Sequence, residues 1–346
     1  MAEDGVETMT APRRASDLRR ELRELGLADS AIAAVWPAWW SEDADASSSA
    51  RADLAFTVAR GLGLDPASLM RGDAPRFLWR AEARFKHVAN EGDLELAGIT
   101  SFGRSVAAAL VSATPEGPAL PTTSPAGLRQ WILANGRPYV DLGDLLALCW
   151  TVGIPVAYLR VFPWQRKRMA AMAAAVTTRS AILLAKDASY PPAITFYVAH
   201  ELGHLLLGHL SVDRMIIDLG DPSVGITPGD DDEEQQADAF ALELLTGAAR
   251  PEVAVEGASA NATRLAHAAT EAAAARHIEP GVIAQVFGYA TNNWEIATGA
   301  LKVLYGEGRP IWADVNAVAR RSLDLDLLPE EAARYLDAVL GAAERS

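Results

Sequence analysis

The chain has 346 residues, 50% apolar and 22% charged, which is long enough for more than one core and reads as globular. A formal charge of −14 argues against strong non-specific attraction to nucleic acid, which needs a positive surface, though a local basic patch is compatible with it. The single Cys149 excludes an internal disulfide and a thiolate metal cluster, and its setting among leucines reads as buried.

Met1 to Ser16 is polar, carries both charge signs and has no apolar signal core. Residues 1–15 are expected to be a disordered tail, and the protein is expected to be cytoplasmic. The longest apolar run, Leu145 to Leu159, is broken by Gly153 and Pro155 and is too short to span a bilayer, so no membrane partner is expected. Helical spacing runs from Ser16 to Leu25, from Asp29 or Ser30 through Trp40, and from Ser49 to Arg60. A short helix is expected to follow Gly63. Short helices with tight glycine turns suggest a helix-turn-helix-like domain over 16–80. Trp36, Trp39 and Trp40 stand where a recognition helix would be sought, and read as core or as a protein-binding surface. Arg13, Arg14, Arg19, Arg20 and Arg23 could touch phosphates, but Glu21 and Glu24 interleave with them and favour a solvated helix face.

Residues 76–112 look helical. Together with the proline-rich stretch Pro115–Pro125 they suggest a connector and linker over 81–124. Ser124 as N-cap with Pro125 in the first turn starts a helix, and another spans Asp141 to Val152. The period then changes. Ile154–Val161, Met169–Val176 and Ser180–Ala185 read as strands, and Pro191-Pro192 opens the next helix.

That helix carries His200-Glu201-Leu202-Gly203-His204. Four residues apart, the two imidazoles share one helix face and can converge on a metal ion such as Zn2+. Glu201 is placed to take a proton from an activated water, the logic of a metal-dependent peptidase. A third ligand is needed. Leu207 and Leu210 occupy the positions where another zinc clan has Gly and His, and His209, about 180° round the helix, is expected to point away from the metal, as a partly exposed or capping histidine near a helix end. Glu234 is the expected third ligand, and Asp238, one turn on, the acceptor that orients a ligand histidine. Glu233 lies about 100° off that face. Ser211 to Asp232 reads as a long loop, a candidate rim or lid, and Asp230–Glu233 as capping of the next helix. A C-terminal helical region, 251–346, follows, with helices near 260–278, 280–290, 293–305, 311–322 and 329–343. An oxyanion donor is sought there among His277, His267, Tyr289 and Arg276, with His277 preferred because it ends a helix.

Phe196–Leu207, followed by Glu234, Ala237, Asp238, Phe240 and Ala241, resembles the ImmA/IrrE family of metallo-endopeptidases over roughly residues 150–250. The family often has Asn where Asp238 stands. The segment Leu54–Leu64 resembles the closing helices of a Cro/C1-type repressor domain. The resemblance implies an α+β, mostly α, zincin-like metallopeptidase domain over 125–250, with a small β-sheet beside the H-E-x-x-H helix. It also implies a protein substrate such as a repressor, another transcriptional regulator or an antitoxin. The alternative is a DNA-binding regulator in which the metal site is a sensor or scaffold.

Overall fold

The computed structural model describes residues 13–79, 83–85, 93–165, 169–210, 215–218, 232–251 and 261–341. The tail expected over 1–15 therefore lies almost wholly outside the described residues.

Four helices come first: α1 (Ala15–Glu24), α2 (Asp29–Val35), α3 (Ser48–Leu62) and α4 (Pro66–Arg71). Gly63 and Gly72, both left-handed, end α3 and α4. α2 stops five residues before the expected Trp40, because Trp36 precedes Pro37 and takes an extended conformation (ψ 123°). The helical stretch expected over 76–112 is instead a short strand β1 (Ala83–Phe85) and a helix α5 (Asp93–Ser112). Next come α6 (Pro125–Ala134), capped by Ser124, and α7 (Leu142–Thr151), with Asp141 and Asp144 in a reciprocal capping box. Strands β2 (Val156–Tyr158), β3 (Ala171–Val176) and β4 (Arg179–Leu184) lead to α8 (Pro191–Leu206). β2 covers only the centre of the expected Ile154–Val161. The stretch expected as one loop after α8 contains a strand, β5 (Met215–Asp218), before α9 (Asp232–Thr246). The remainder of the expected loop, 211–214 and 219–231, lies outside the described residues. The chain closes with α10 (Ala262–Arg276), α11 (Pro280–Thr291), α12 (Trp294–Tyr305), α13 (Ile311–Ser322) and α14 (Glu330–Val339).

The fold is mostly helical with one mixed sheet, an α+β arrangement with strand order β1-β5-β3-β4-β2. β3 runs antiparallel to both neighbours, while the outer pairs, β1–β5 and β2–β4, are parallel. Both faces of the sheet are covered, so its strands read as continuous apolar runs. Alternate residues serve two cores. Ala157, Met172, Ala174, Ala181 and Leu183 face one that includes α1–α5 and α14. Val156, Tyr158, Ile182 and Leu184 face the other, built from α6–α11 and α13. Segments that read separately along the sequence thus share a core: helices of 16–80 pack with strands of 125–250 and with Tyr335, Leu336 and Val339 near the C-terminus. The alanines of β3 let α5 and α8 approach the central strand from opposite faces. α5 is the one helix among the described residues long and apolar enough to cross a membrane, a candidate the Leu145–Leu159 run had obscured. Its Phe102, Val106 and Leu110 are buried in the first core, which accounts for its apolar composition.

Two polar side chains hold layers together. Arg179, at the β3–β4 turn, donates to the carbonyls of Val111, Thr114, Pro115 and Gly153, fixing the linker against the ends of α5 and α7. Asn316 of α13 is 2% exposed. Its Oδ1 accepts from Tyr158 N–H at 2.7 Å, and its Nδ2 donates to the Tyr158 and Leu340 carbonyls. It closes the outer edge of β2 as a further strand would. Asn316→Ala leaves three buried backbone groups without partners and is expected to cost about 3 kcal/mol, read by urea unfolding. A loss below about 0.5 kcal/mol would show that water replaces the amide.

Candidate metal centre

α8 begins with Pro191 and Pro192 in its first turn, where a missing N–H costs nothing. It packs against the sheet and against α9. Its second half carries both histidines inward: His200 is 2% exposed, and Glu201 and His204 are fully buried. Gly203 lies against α9, since a Cβ there would sit 3.1 Å from the Phe240 ring. That close approach brings the first turn of α9 over the histidines. Glu234, the expected third donor, is 7% exposed and faces both rings.

His200 Nε2 and His204 Nε2 lie 3.0 Å apart. One oxygen of Glu234 is 3.2 Å from His200 Nε2, the other 3.5 Å from His204 Nε2. A tetrahedral ion with bonds of about 2.0 Å has ligand–ligand edges of about 3.3 Å, which these separations match. His200, His204 and Glu234 are a buried group close enough to hold a metal ion. Two nitrogens and a carboxylate also leave a fourth position open.

The far nitrogens each face a polar side chain. His200 Nδ1 lies 2.8 Å from Asp238 Oδ1, as the Glu234–Asp238 spacing predicts. The Phe196 ring, one turn back, lies against the His200 ring. His209 is partly exposed near the helix end, as expected, but its ring meets that of His204 instead of pointing away. It is not on the far side of a continuing helix, because α8 has already ended at Leu206. Gly208 takes a left-handed φ of 75°, and His209 N–H returns to the His204 carbonyl at 3.1 Å, a Schellman closure. The reversal puts His209 Nδ1 3.0 Å from His204 Nδ1, and His209 Nε2 3.3 Å from Gln236 Oε1. The contact of His209 with His204 was not foreseen, and Gln236 has no counterpart in the sequence reading. The Leu207-Gly208-His209 terminator was the signal available for the first.

His277 is not near this centre. It is the exposed left-handed cap of α10 (φ 56°), with its Nδ1 3.0 Å from the Pro138 carbonyl. Its own carbonyl accepts from Arg129, which also donates to Leu245 at the end of α9. Leu245 is eleven residues beyond Glu234, about 16 Å along the helix axis, so the oxyanion role expected of His277 does not hold. His267 and Arg276 are exposed on α10, and Tyr289 packs edge-on against Trp294. Glu233 is partly exposed at the start of α9, and Asp230 and Asp231 lie outside the described residues.

The charges are unevenly shared. Burial alone would lower the His200 pKa, but bonds to Asp238 and Glu234 and the charge of Glu201 outweigh it and raise it to about 10. Burial would raise that of Glu234, but the bonds from His200 and His204 hold it well below the usual carboxylate range. Burial lowers the pKa of His204. Without metal the group is therefore an imidazolium–carboxylate pair beside a neutral imidazole. The His200 pKa is raised above an unfolded value of about 6.5 and that of Glu234 is depressed, so the pair's contribution to metal-free stability is complete between the ordinary carboxylate range and about pH 6.5, is lost as pH rises through about 10, and is lost at the acid end as pH falls through the depressed Glu234 pKa.

No protein-family model, curated protein or solved structure matches the chain.

A metal ion must displace the His200 proton. Calorimetry in buffers of different ionisation enthalpy, near pH 7, is expected to show about one proton released per divalent ion bound, with affinity falling as pH falls. Uptake without proton release would contradict the charge assignment.

Proposed function

We propose that the chain is a zinc-dependent metallo-endopeptidase of zincin type, similar to the ImmA/IrrE family, that hydrolyses a peptide bond in a protein substrate. The observation that carries this reading is the buried convergence of His200, His204 and Glu234, with Glu201 on the same turn of α8. His200, His204 and Glu234 would hold the ion. Zinc, when bound, supplies a Lewis acid that lowers the pKa of water to about 7. Glu201 handles the proton: its carboxylate takes one from the attacking water and delivers it to the amine nitrogen as the C–N bond breaks. Asp238, 2.8 Å from His200 Nδ1, would hold that ring in the tautomer that leaves Nε2 free to bind. The substrate class follows the family resemblance, a transcriptional regulator such as a repressor, or an antitoxin.

The alternative, a DNA-binding regulator using the metal site as sensor or scaffold, needs free basic groups on the N-terminal helices. Arg13, Arg20 and Arg23 are paired with Glu21, Asp17 and Asp29, and Arg19 lies over the Trp36 ring. That pairing favours the peptidase.

The test is a comparison of zinc-loaded wild type with Glu201→Gln on a cell extract, with new protein N-termini counted by mass spectrometry. Glu201→Gln is expected to retain zinc and to lose cleavage by at least about 100-fold. Undiminished proteolysis in that variant would refute the mechanism.

A further inference from the structure

Metal ligation through Nε2 requires the His204 proton to sit on Nδ1. That N–H is buried behind the ring and needs an acceptor. His209 Nδ1, 3.0 Å away, faces it. To accept, His209 must carry its own proton on Nε2, and there it meets Gln236 Oε1, an acceptor, at 3.3 Å. The two contacts and the ligation requirement agree on one proton arrangement. The reverse arrangement, with His209 donating through Nδ1, would put the His204 proton on Nε2 and block the ligand position.

We infer that His209, anchored by Gln236, is a positioning residue that accepts the His204 Nδ1 proton and so aims the His204 Nε2 lone pair at the metal. The inference rests on the metal-site reading. It gives the two ligand histidines unequal supports: His200 is backed by the Asp238 carboxylate, His204 by the His209 ring. α9 anchors both supports, through Asp238 and Gln236, and supplies the third ligand, Glu234. The device depends on Gly208, whose left-handed turn folds His209 back under His204. His209 itself is no ligand, since it bonds the edge of the His204 ring opposite the Nε2 atom that faces Glu234.

The test is zinc affinity of the full chain, measured by competition with a chromophoric chelator, for wild type, His209→Leu, His209→Asn and Gln236→Leu. His209→Leu is expected to weaken zinc binding by about 10- to 100-fold. His209→Asn, whose side-chain oxygen can accept the same proton, is expected to recover most of that loss. Gln236→Leu, at an exposed position where folding is not at risk, is expected to weaken binding by a few-fold. Nitrogen-15 NMR of the zinc-loaded protein adds a readout that a packing role would not move: a protonated His204 Nδ1 in wild type and His209→Asn, lost or exchange-broadened in His209→Leu. Wild type binding zinc with His209→Leu equally tight would overturn the positioning role and leave the metal site standing. Weakened binding without rescue by Asn would reduce His209 to packing and also overturn it. Wild type that takes up no zinc would overturn the metal-site reading and this inference together.

Discussion

The centre depends on the close packing of two helices, α8 and α9. His200 and His204 come from one, Glu234 and Asp238 from the other, and the contacts of both histidines with Glu234 and of His200 with Asp238 are lost if the helices part. Gly203 makes the approach possible, because the Phe240 ring occupies the space a side chain would need. The far end of α9 is held independently. Arg129, buried between helices, donates to the carbonyls of Leu244, Leu245, Arg276 and His277. A cation satisfying the last carbonyls of α9 and α10 sits where both helix dipoles favour it. α9 is thus pinned by side-chain packing at one end and by charge at the other. A metal centre needs this, because its donors must be held in place by their surroundings.

The sheet supplies the platform behind α8. Its central strand is lined with alanine, so helical layers can close on both faces, and the second of these layers contains α8 and α9. The first layer binds the N-terminal helices and α14 to the same sheet. Asn316 seals the β2 edge and joins it to the C-terminal segment. Residues far apart in the chain are thereby committed to one body. The N-terminal tryptophans share in this: Trp36 is buried in the first core and Trp40 packs beside it, while Trp39 is 40% exposed. The core half of the expectation for them accounts for Trp36.

The parts of the site that were legible in the sequence rest on local geometry. A four-residue spacing on a helix places His200 with His204 and Glu234 with Asp238, and helix periodicity needs no knowledge of the fold. Helix ends marked by Gly and Pro were legible for the same reason, as at Ser124–Pro125, Pro280, Gly306, Pro310 and Pro329, whereas α10 lies between Asn261 and His277 and α14 ends at Val339, short of the expected 343. β1 and β5 were not. They are three and four residues long and pair in parallel across a long stretch of chain, which leaves no periodic trace. That His209 lies near a helix end was legible, but its contact with His204 was not, because a helix projected past Gly208 puts the ring on the far side. Gln236 stands two residues from Glu234, and residues so spaced do not share a helix face. The choice of His277 failed on tertiary placement: being at a helix end says nothing about which end of α9 that helix meets.

The most direct test of the account is metal content by mass spectrometry on protein purified without added metal, beside Glu234→Ala. The account predicts about one zinc ion per chain, lost or greatly reduced when the third donor is removed. Wild-type protein free of metal that also rejects added zinc would contradict it, and the catalytic role of Glu201 would fall with the centre.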